Sequence, residues 1–258
     1  MEFLGVDIGS SSIKYGWVSL GEEITVRNFD MIVIPQTSRE EKYADAIMYL
    51  LKATVSYQAV CFGFPSRIWE NRILRNDIDF DGLWRKVQEY LQAQKIPCFA
   101  INDADAAGMV EVYRKGAEEL RHGVTVLLTL GSGIGSAIFL DGKLLPNTEM
   151  GGIEMHGVEA EKYAAPSIKT RESLSIQEWA SRLQEYLERV ENILSPNHLV
   201  LGGGISTDFS KYKDLLKTRA SLLPAFYRNQ AGVIGAAIYA AYQTHFYDQI
   251  CMSGFETP

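Results

Sequence analysis

The sequence predicts an α/β fold of two related lobes with a cleft between them, and three observations carry that reading. The chain opens on three consecutive strand patterns, strands then alternate with helices, and near residue 124 the opening theme of strand, Gly/Ser turn and strand returns. Alternation implies a largely parallel sheet in the later part of the first lobe. The recurrence implies a duplicated unit.

Phe3 to Ile8, Ile13 to Leu20 and Ile24 to Ile34 read as strands, joined by Gly/Ser and Gly-Glu-Glu turns. Ser38 followed by Glu41 is a capping-box pattern, behind which Tyr43, Ile47, Leu50, Leu51 and Thr54 recur at helical spacing. A buried strand, Ala59 to Phe64, stops at Pro65. A helix near Leu83 to Gln94 leads into the apolar run Ile96 to Ile101. The second lobe begins with Val124 to Leu130, a Gly-rich turn and Ser136 to Leu140. An Asp141-Gly142 hairpin signal then precedes Lys143 to Leu145. Helices over Ile176 to Leu194 and Ala231 to Gln243 bracket a last short strand, His198 to Leu201. No low-complexity linker separates the halves. The boundary falls in Gly116 to Gly123, giving a small lobe over 1–118 and a larger one over 119–258, with the final helix a candidate to pack back on the first.

A chain of 258 residues, 47% hydrophobic and 22% charged, can bury two modest cores. Its net charge of −7 argues against a nucleic-acid surface. The start MEFLGVDIGS enters a strand at once without a signal-peptide pattern, and no run approaches the roughly 18 apolar residues of a membrane span. A cytoplasmic protein without membrane or nucleic-acid partners is expected. Cys61, Cys98 and Cys251 are odd in number and scattered, as expected of reduced thiols rather than a metal site.

Four runs carry chemistry. Asp7-Ile-Gly9-Ser10-Ser11-Ser12-Ile-Lys14 is a tight turn between strands, where backbone amides and hydroxyls can meet phosphate oxygens. There Asp7 can position a hydrated Mg²⁺ and Lys14 can offset phosphate charge. Thr129-Leu-Gly131-Ser132-Gly133-Ile-Gly135 offers a second such turn; because a strand follows it, the dinucleotide fingerprint fits poorly. Gly202-Gly203-Gly204 closes a strand and permits close approach of a base or phosphate. Taken singly, each of these also suits a turn that needs glycine for geometry alone. Asn102-Asp103-Ala104-Asp105 ends a strand and starts a helix, where open α/β sheets bind ligands. Asp103 can accept a hydroxyl proton during phosphoryl transfer, and either residue can also cap the helix.

In order and spacing the set resembles the phosphate-1, catalytic, phosphate-2 and adenosine motifs of the actin-like ATPase and sugar kinase superfamily, whose lobes are of the ribonuclease H-like type. INDADAAG, LLTLGSGIGSAIFLDGKLLPNTEMG, VEAEKYAA, LGGGIS and AGVIGAA together resemble the ROK sugar kinases, most of all their polyphosphate glucokinase branch. The resemblance implies a dimeric kinase that moves phosphate from ATP or polyphosphate to a hexose, with Mg²⁺ and no zinc. It implies Asp103 as base, and Asn102, Glu149 and Glu161 as sugar ligands, with looser matches at Gly63 and Asn76. On the donor side it implies Asp7, Gly9, Ser10, Ser12, Lys14, Thr129, Gly131, Ser132, Gly133, Gly202 and Gly203.

The chain departs from the family where Gly-His follows the first sugar glutamate: here the order is Glu149-Met150-Gly151-Gly152, so a sugar-contacting imidazole is missing. His156 is a candidate to compensate. Gly151 and Gly152 are expected to use backbone angles that a side chain resists. The Cys-rich zinc loop of many relatives is absent from the sequence, and because the sequence starts directly at strand Phe3 to Ile8, the DNA-binding role of ROK repressors, with their N-terminal helix-turn-helix, is not expected. Lys169 and Arg171 are candidates to line a polyanion path, with a solvated face as the plain alternative. A sugar-binding protein of kinase ancestry without turnover is the rival reading.

Overall fold

The computed structural model describes all residues except 10, 22, 36–38, 54–56, 71, 75–77 and 246–258. The chain divides into two compact units, Met1–Val110 with Gly232–Pro258, and Glu111–Ala231.

The first unit opens with β1 (Glu2–Ile8), β2 (Ser12–Ser19) and β3 (Thr25–Val33), followed by α1 (Arg39–Ala53) and β4 (Val60–Phe64). A small hairpin of β5 (Ile68–Trp69) and β6 (Arg72–Ile73) precedes α2 (Phe80–Ala93), β7 (Cys98–Asn102) and α3 (Asp103–Tyr113). The five-stranded sheet has the order β3-β2-β1-β4-β7, antiparallel across β3, β2 and β1 and parallel across β1, β4 and β7. Tyr43, Ile47, Leu50 and Leu51 of α1, with Leu83, Trp84, Val87 and Leu91 of α2, share one core with Leu4, Val6 and Ile8. Phe64 packs edge-on against both Phe80 and Trp84. Each such buried side chain contributes about 1.5–3 kcal/mol, which explains why these amphipathic helices form where they do.

The second unit begins with β8 (Val124–Leu130), β9 (Ile134–Leu140) and β10 (Lys143–Leu145), then a hairpin of β11 (Glu154–Met155) and β12 (Val158–Glu159). Short helices α4 (Glu161–Ala164) and α5 (Pro166–Arg171) lead to α6 (Ile176–Leu194), β13 (His198–Gly202), α7 (Phe209–Tyr212) and β14 (Ser221–Pro224). Its sheet runs β10-β9-β8-β13-β14, the same order and strand senses as the first. The helix α8 (Ala231–Gln243) follows, and from Gly232 it belongs to the first unit.

The duplication extends to register. In the first unit Asp7 of β1 pairs with Lys14 of β2 and Gly63 of β4. In the second, Thr129 of β8 pairs with Gly135 of β9 and Gly202 of β13. The Asp141-Gly142 turn has φ of 49° and 74°, the pair of positive angles that a two-residue hairpin needs.

Most expected elements are present with shifted ends. Helix α2 starts at Phe80 rather than near Leu83, because Asp79 accepts from the Gly82 amide and caps it there. Strand β9 starts at Ile134 rather than Ser136, since Thr129 to Leu130 pair across the turn with Gly135 to Ile134. His198–Gly202 is not the last strand: β14 pairs beyond it at the sheet edge. Ser38 of the expected capping box, Thr54 and Cys251 lie outside the described residues.

Candidate active site

Parallel strands β1, β4 and β7 end side by side, and their register places the candidate residues of the first unit. Asp7 sits beside Gly63, Gly63 beside Ile101, and Phe64 beside Asn102. The next residue, Asp103, begins α3. Asn102 Oδ1 accepts from the amides of Ala104 at 2.9 Å and Asp105 at 3.1 Å, so it caps α3. Its Nδ2 donates to Ser66 O at 3.2 Å. Asp103 Oδ1 also accepts from the Ala104 amide at 2.8 Å. The helix start therefore does not depend on Asp103 alone, and this half-buried carboxylate stands at the strand's C-terminal end.

On the other side of β1, Asp7 Oδ2 accepts from Lys14 Nζ at 3.4 Å, a cross-strand pair. The Asp7 side chain is only 14% exposed, and burial pushes its pKa up against the opposing pull of Lys14. A β-carbon at Gly232 would lie 2.7 Å from Asp7 Cγ, so the first turn of α8 fits over this carboxylate only because that residue is glycine. Gly5 and Gly235 serve the same packing. A β-carbon at either would collide with the backbone of Val233 or Ala106 respectively. The turn itself closes through the Gly9 amide to Ser12 O at 2.8 Å and Tyr43 Oη to Gly9 O at 2.6 Å. Ser10 and Asn76 lie outside the described residues.

In the second unit the turn after Thr129 closes with the Gly131 amide donating to Gly133 O at 3.0 Å. Gly131 and Ser132 are exposed, and a β-carbon at Gly131 would meet open space. The start of α5 fastens the turn from behind: Ser167 donates its amide to Gly131 O and its hydroxyl to Ser132 O, at 3.1 and 2.6 Å. Glu161 lies over Gly133 and accepts from the Ile134 amide at 3.5 Å. Gly203 has φ of 81°, and a β-carbon there would collide with the Leu130 backbone. Its glycine is required by packing, whereas Gly204 faces open space.

Glu149 is exposed on the segment that runs beside the start of β9. The buried Ser136 hydroxyl donates to Thr148 O at 2.8 Å and accepts from the Met150 amide at 3.0 Å, tying that segment to β9. Gly151 is compressed against Ile134, but Gly152 has no positive φ, and a β-carbon there would meet nothing within 4 Å. The expected backbone resistance therefore holds for Gly151 through contact and not for Gly152. His156 does not stand free to replace the missing imidazole, because its Nε2 bonds Glu185 Oε2 at 2.8 Å. Lys169 is half-buried, while Arg171 is exposed and paired with Glu172 at 3.3 Å.

Among the described residues no three His, Cys, Asp or Glu side chains gather as a metal cage. Mg²⁺ needs no such cage, since it keeps several waters and is commonly held by one or two carboxylates together with substrate phosphates. Asp7, a shielded carboxylate beside a single lysine, fits such a role. None of the helices among the described residues is long and apolar enough to cross a membrane.

The sequence profile of the ROK family matches residues 3–161. A polyphosphate glucokinase of Mycobacterium leprae is 35% identical over 240 residues, covering 91% of this chain and 73% of that protein. One from Mycobacterium tuberculosis (strain CDC 1551 / Oshkosh) is 33% identical over 246 residues, covering 93% and 91%. Among solved structures, an inorganic polyphosphate/ATP-glucomannokinase from Arthrobacter sp. strain KM superposes with a TM-score of 0.81 at 34% identity, over 94% of this chain and 99% of that one. With a profile match over more than half its length and relatives above 30% identity along nearly all of it, the chain belongs to the ROK family.

Proposed function

We propose that this protein is a hexose kinase that takes a phosphoryl group from polyphosphate or ATP. The carrying observation is the 33–35% identity, over more than nine-tenths of the chain, to proteins named polyphosphate glucokinase. The Asn102–Asp103 pair at the end of β7 supports the reading, since it supplies a capped helix start and a carboxylate at one strand end. In this reading Asn102 and Asp103 hold the sugar, with Glu149 and Glu161 bonding further hydroxyls and Gly63 and Asn76 nearby. Asp103 accepts the proton as the sugar oxygen forms its bond to phosphorus. The bond from phosphorus to the donor's bridging oxygen breaks, and its electron pair leaves with ADP or the shortened polyphosphate.

The donor oxygens meet the amides and hydroxyls of two turns, Gly9, Ser10 and Ser12 with Lys14, and Thr129, Gly131, Ser132 and Gly133, with Gly202 and Gly203 alongside. Mg²⁺ near Asp7 would supply charge neutralisation on the donor phosphates when bound. Little covalent chemistry is asked of the protein; positioning and electrostatics carry the rate. Glucose, phosphorylated at its six-hydroxyl, is the first candidate acceptor, and the absence of an imidazole at Gly152 leaves room for a different hexose preference. A cytoplasmic homodimer completes the reading, checked by light scattering of the purified protein.

A turnover assay comparing ATP with polyphosphate across a panel of hexoses tests the proposal. Mg²⁺-dependent formation of a sugar phosphate from either donor is expected. Sugar binding in calorimetry without turnover from either donor would identify a binding protein instead.

A further inference from the structure

Glu185 lies on α6, 24 positions beyond Glu161, and sequence gives it no role beyond a solvated helix face. In the structure its two carboxylate oxygens reach two different pieces of chain. Oε2 meets His156 Nε2 at 2.8 Å, and Oε1 accepts from the Tyr163 hydroxyl at 3.1 Å. A carboxylate offers only acceptors here, so the imidazole carries its proton on Nε2. His156 forms the tip of the β11–β12 hairpin with φ of 51°, a left-handed conformation that needs support. Tyr163 lies on α4, two residues past Glu161. The two rings also touch, with centroids 4.8 Å apart. From the same helix Arg182 stacks 5.0 Å over the Tyr163 ring and donates to Tyr163 O at 3.3 Å. Glu172 holds Arg182 at 2.9 Å.

The segment carrying Glu161 is therefore held to α6 both before and after that residue. The hairpin before it and the helix turn that holds it are fixed to one side chain of α6, while the Ala160 amide closes onto Ile153 O at 2.7 Å. We propose that Glu185 is a positioning residue: by bonding His156 and Tyr163 together it holds Glu161 against the Gly133–Ile134 turn, in the place where it receives a sugar hydroxyl. The inference rests on the reading of Glu161 as a sugar ligand. Tyr163 titrates higher than an ordinary tyrosine, first through burial and then through its bond to Glu185, so the hydroxyl remains a donor throughout the physiological range.

The test uses the full-length enzyme with glucose and its better donor. Glu185→Ala removes both acceptors from a half-buried surface position outside the core, so the protein is expected to fold. Its sugar KM should rise roughly three- to thirtyfold, the worth of about one to two hydrogen bonds. The donor KM should stay within about twofold, as the donor turn keeps its Ser167 fastenings. Glu185→Gln keeps an acceptor and should rescue most of the loss. Tyr163→Phe, which removes one bond, should fall between. Backbone hydrogen exchange of residues 153–164 should accelerate in Glu185→Ala without sugar present. Unchanged exchange there overturns the proposal, as does a sugar KM that stays put while Glu161→Gln raises it. If Glu161→Gln itself leaves sugar KM unchanged, the sugar reading of Glu161 fails, and the exchange result alone then judges whether Glu185 holds the segment.

Discussion

The Glu161 carboxylate occupies the space where any residue other than glycine at position 133 would carry its β-carbon, and it accepts from the neighbouring Ile134 amide at 3.5 Å. A residue assigned by family resemblance to the sugar and a turn assigned to the donor are thus in contact. Read from sequence alone, a side chain at Gly133 disturbs donor binding only. The contact predicts that Gly133→Ala raises the sugar KM as well, each by roughly three- to tenfold, the worth of about one hydrogen bond. Steady-state kinetics varying each substrate in turn check this. A change confined to the donor KM would mean that Glu161 shifts aside without consequence.

Gly152 faces open space and has ordinary backbone angles. Gly152→His should therefore fold with an unchanged melting curve. An added hydrogen bond to a sugar hydroxyl is worth about 0.5–1.5 kcal/mol, so the glucose KM should improve roughly two- to tenfold. A folded variant with no improvement would show that the missing imidazole does not limit glucose recognition. His156 is then a poor substitute, since Glu185 already engages it.

Asp7 carries a raised pKa because burial outweighs the attraction of Lys14. Its ionised form is disfavoured in the folded chain, so its contribution to stability is greatest below the unfolded-state pKa near ~4 and declines as pH rises through the folded value. Asp7→Asn should accordingly raise the melting temperature of the ligand-free protein at neutral pH and lower activity. The stability gain should shrink as pH falls toward ~4. Melting curves across that range check the sign; a variant less stable at pH 7 would show that the Lys14 pair outweighs burial.

Gly203 and Gly204 look alike in sequence but differ in the fold. Gly203→Ala must place a side chain at φ of 81° and against the Leu130 backbone, which should cost about 1–3 kcal/mol or more. Gly204→Ala meets open space and should stay within about 0.5 kcal/mol of the parent. Urea unfolding of the two variants separates these roles.

Element types are legible in the sequence where apolar periodicity is strong, as in α6 and β8, whose expected and observed bounds coincide. The end of β13 and the start of β9 are less so, because glycines permit a turn or a strand and only pairing across the sheet decides. Strand β14 has four residues and ends in Pro224, too little to show alternation. The site's strand-end residues are legible because strand, turn and strand fix where a backbone must bend. Their supports are not. Ser136, Glu185 and Gly232 act through partners 12 or more positions away, and nothing local marks a serine, a helix glutamate or a helix glycine for such contacts. The glycines of AGVIGAA belong to that group, since Gly232 and Gly235 make room for Asp7 and Ala106.

Asp103→Asn tests the role of the strand-end carboxylate most directly, because it keeps the shape of the side chain and the Asn102 cap of α3 while removing the base. Turnover measured with saturating sugar and donor, beside sugar affinity by calorimetry, gives the two numbers needed. If Asp103 is the base, kcat falls roughly 10²- to 10⁴-fold with sugar affinity changed far less. An Asp103→Asn enzyme that turns over at the parent rate would contradict this and remove Asp103 from the mechanism.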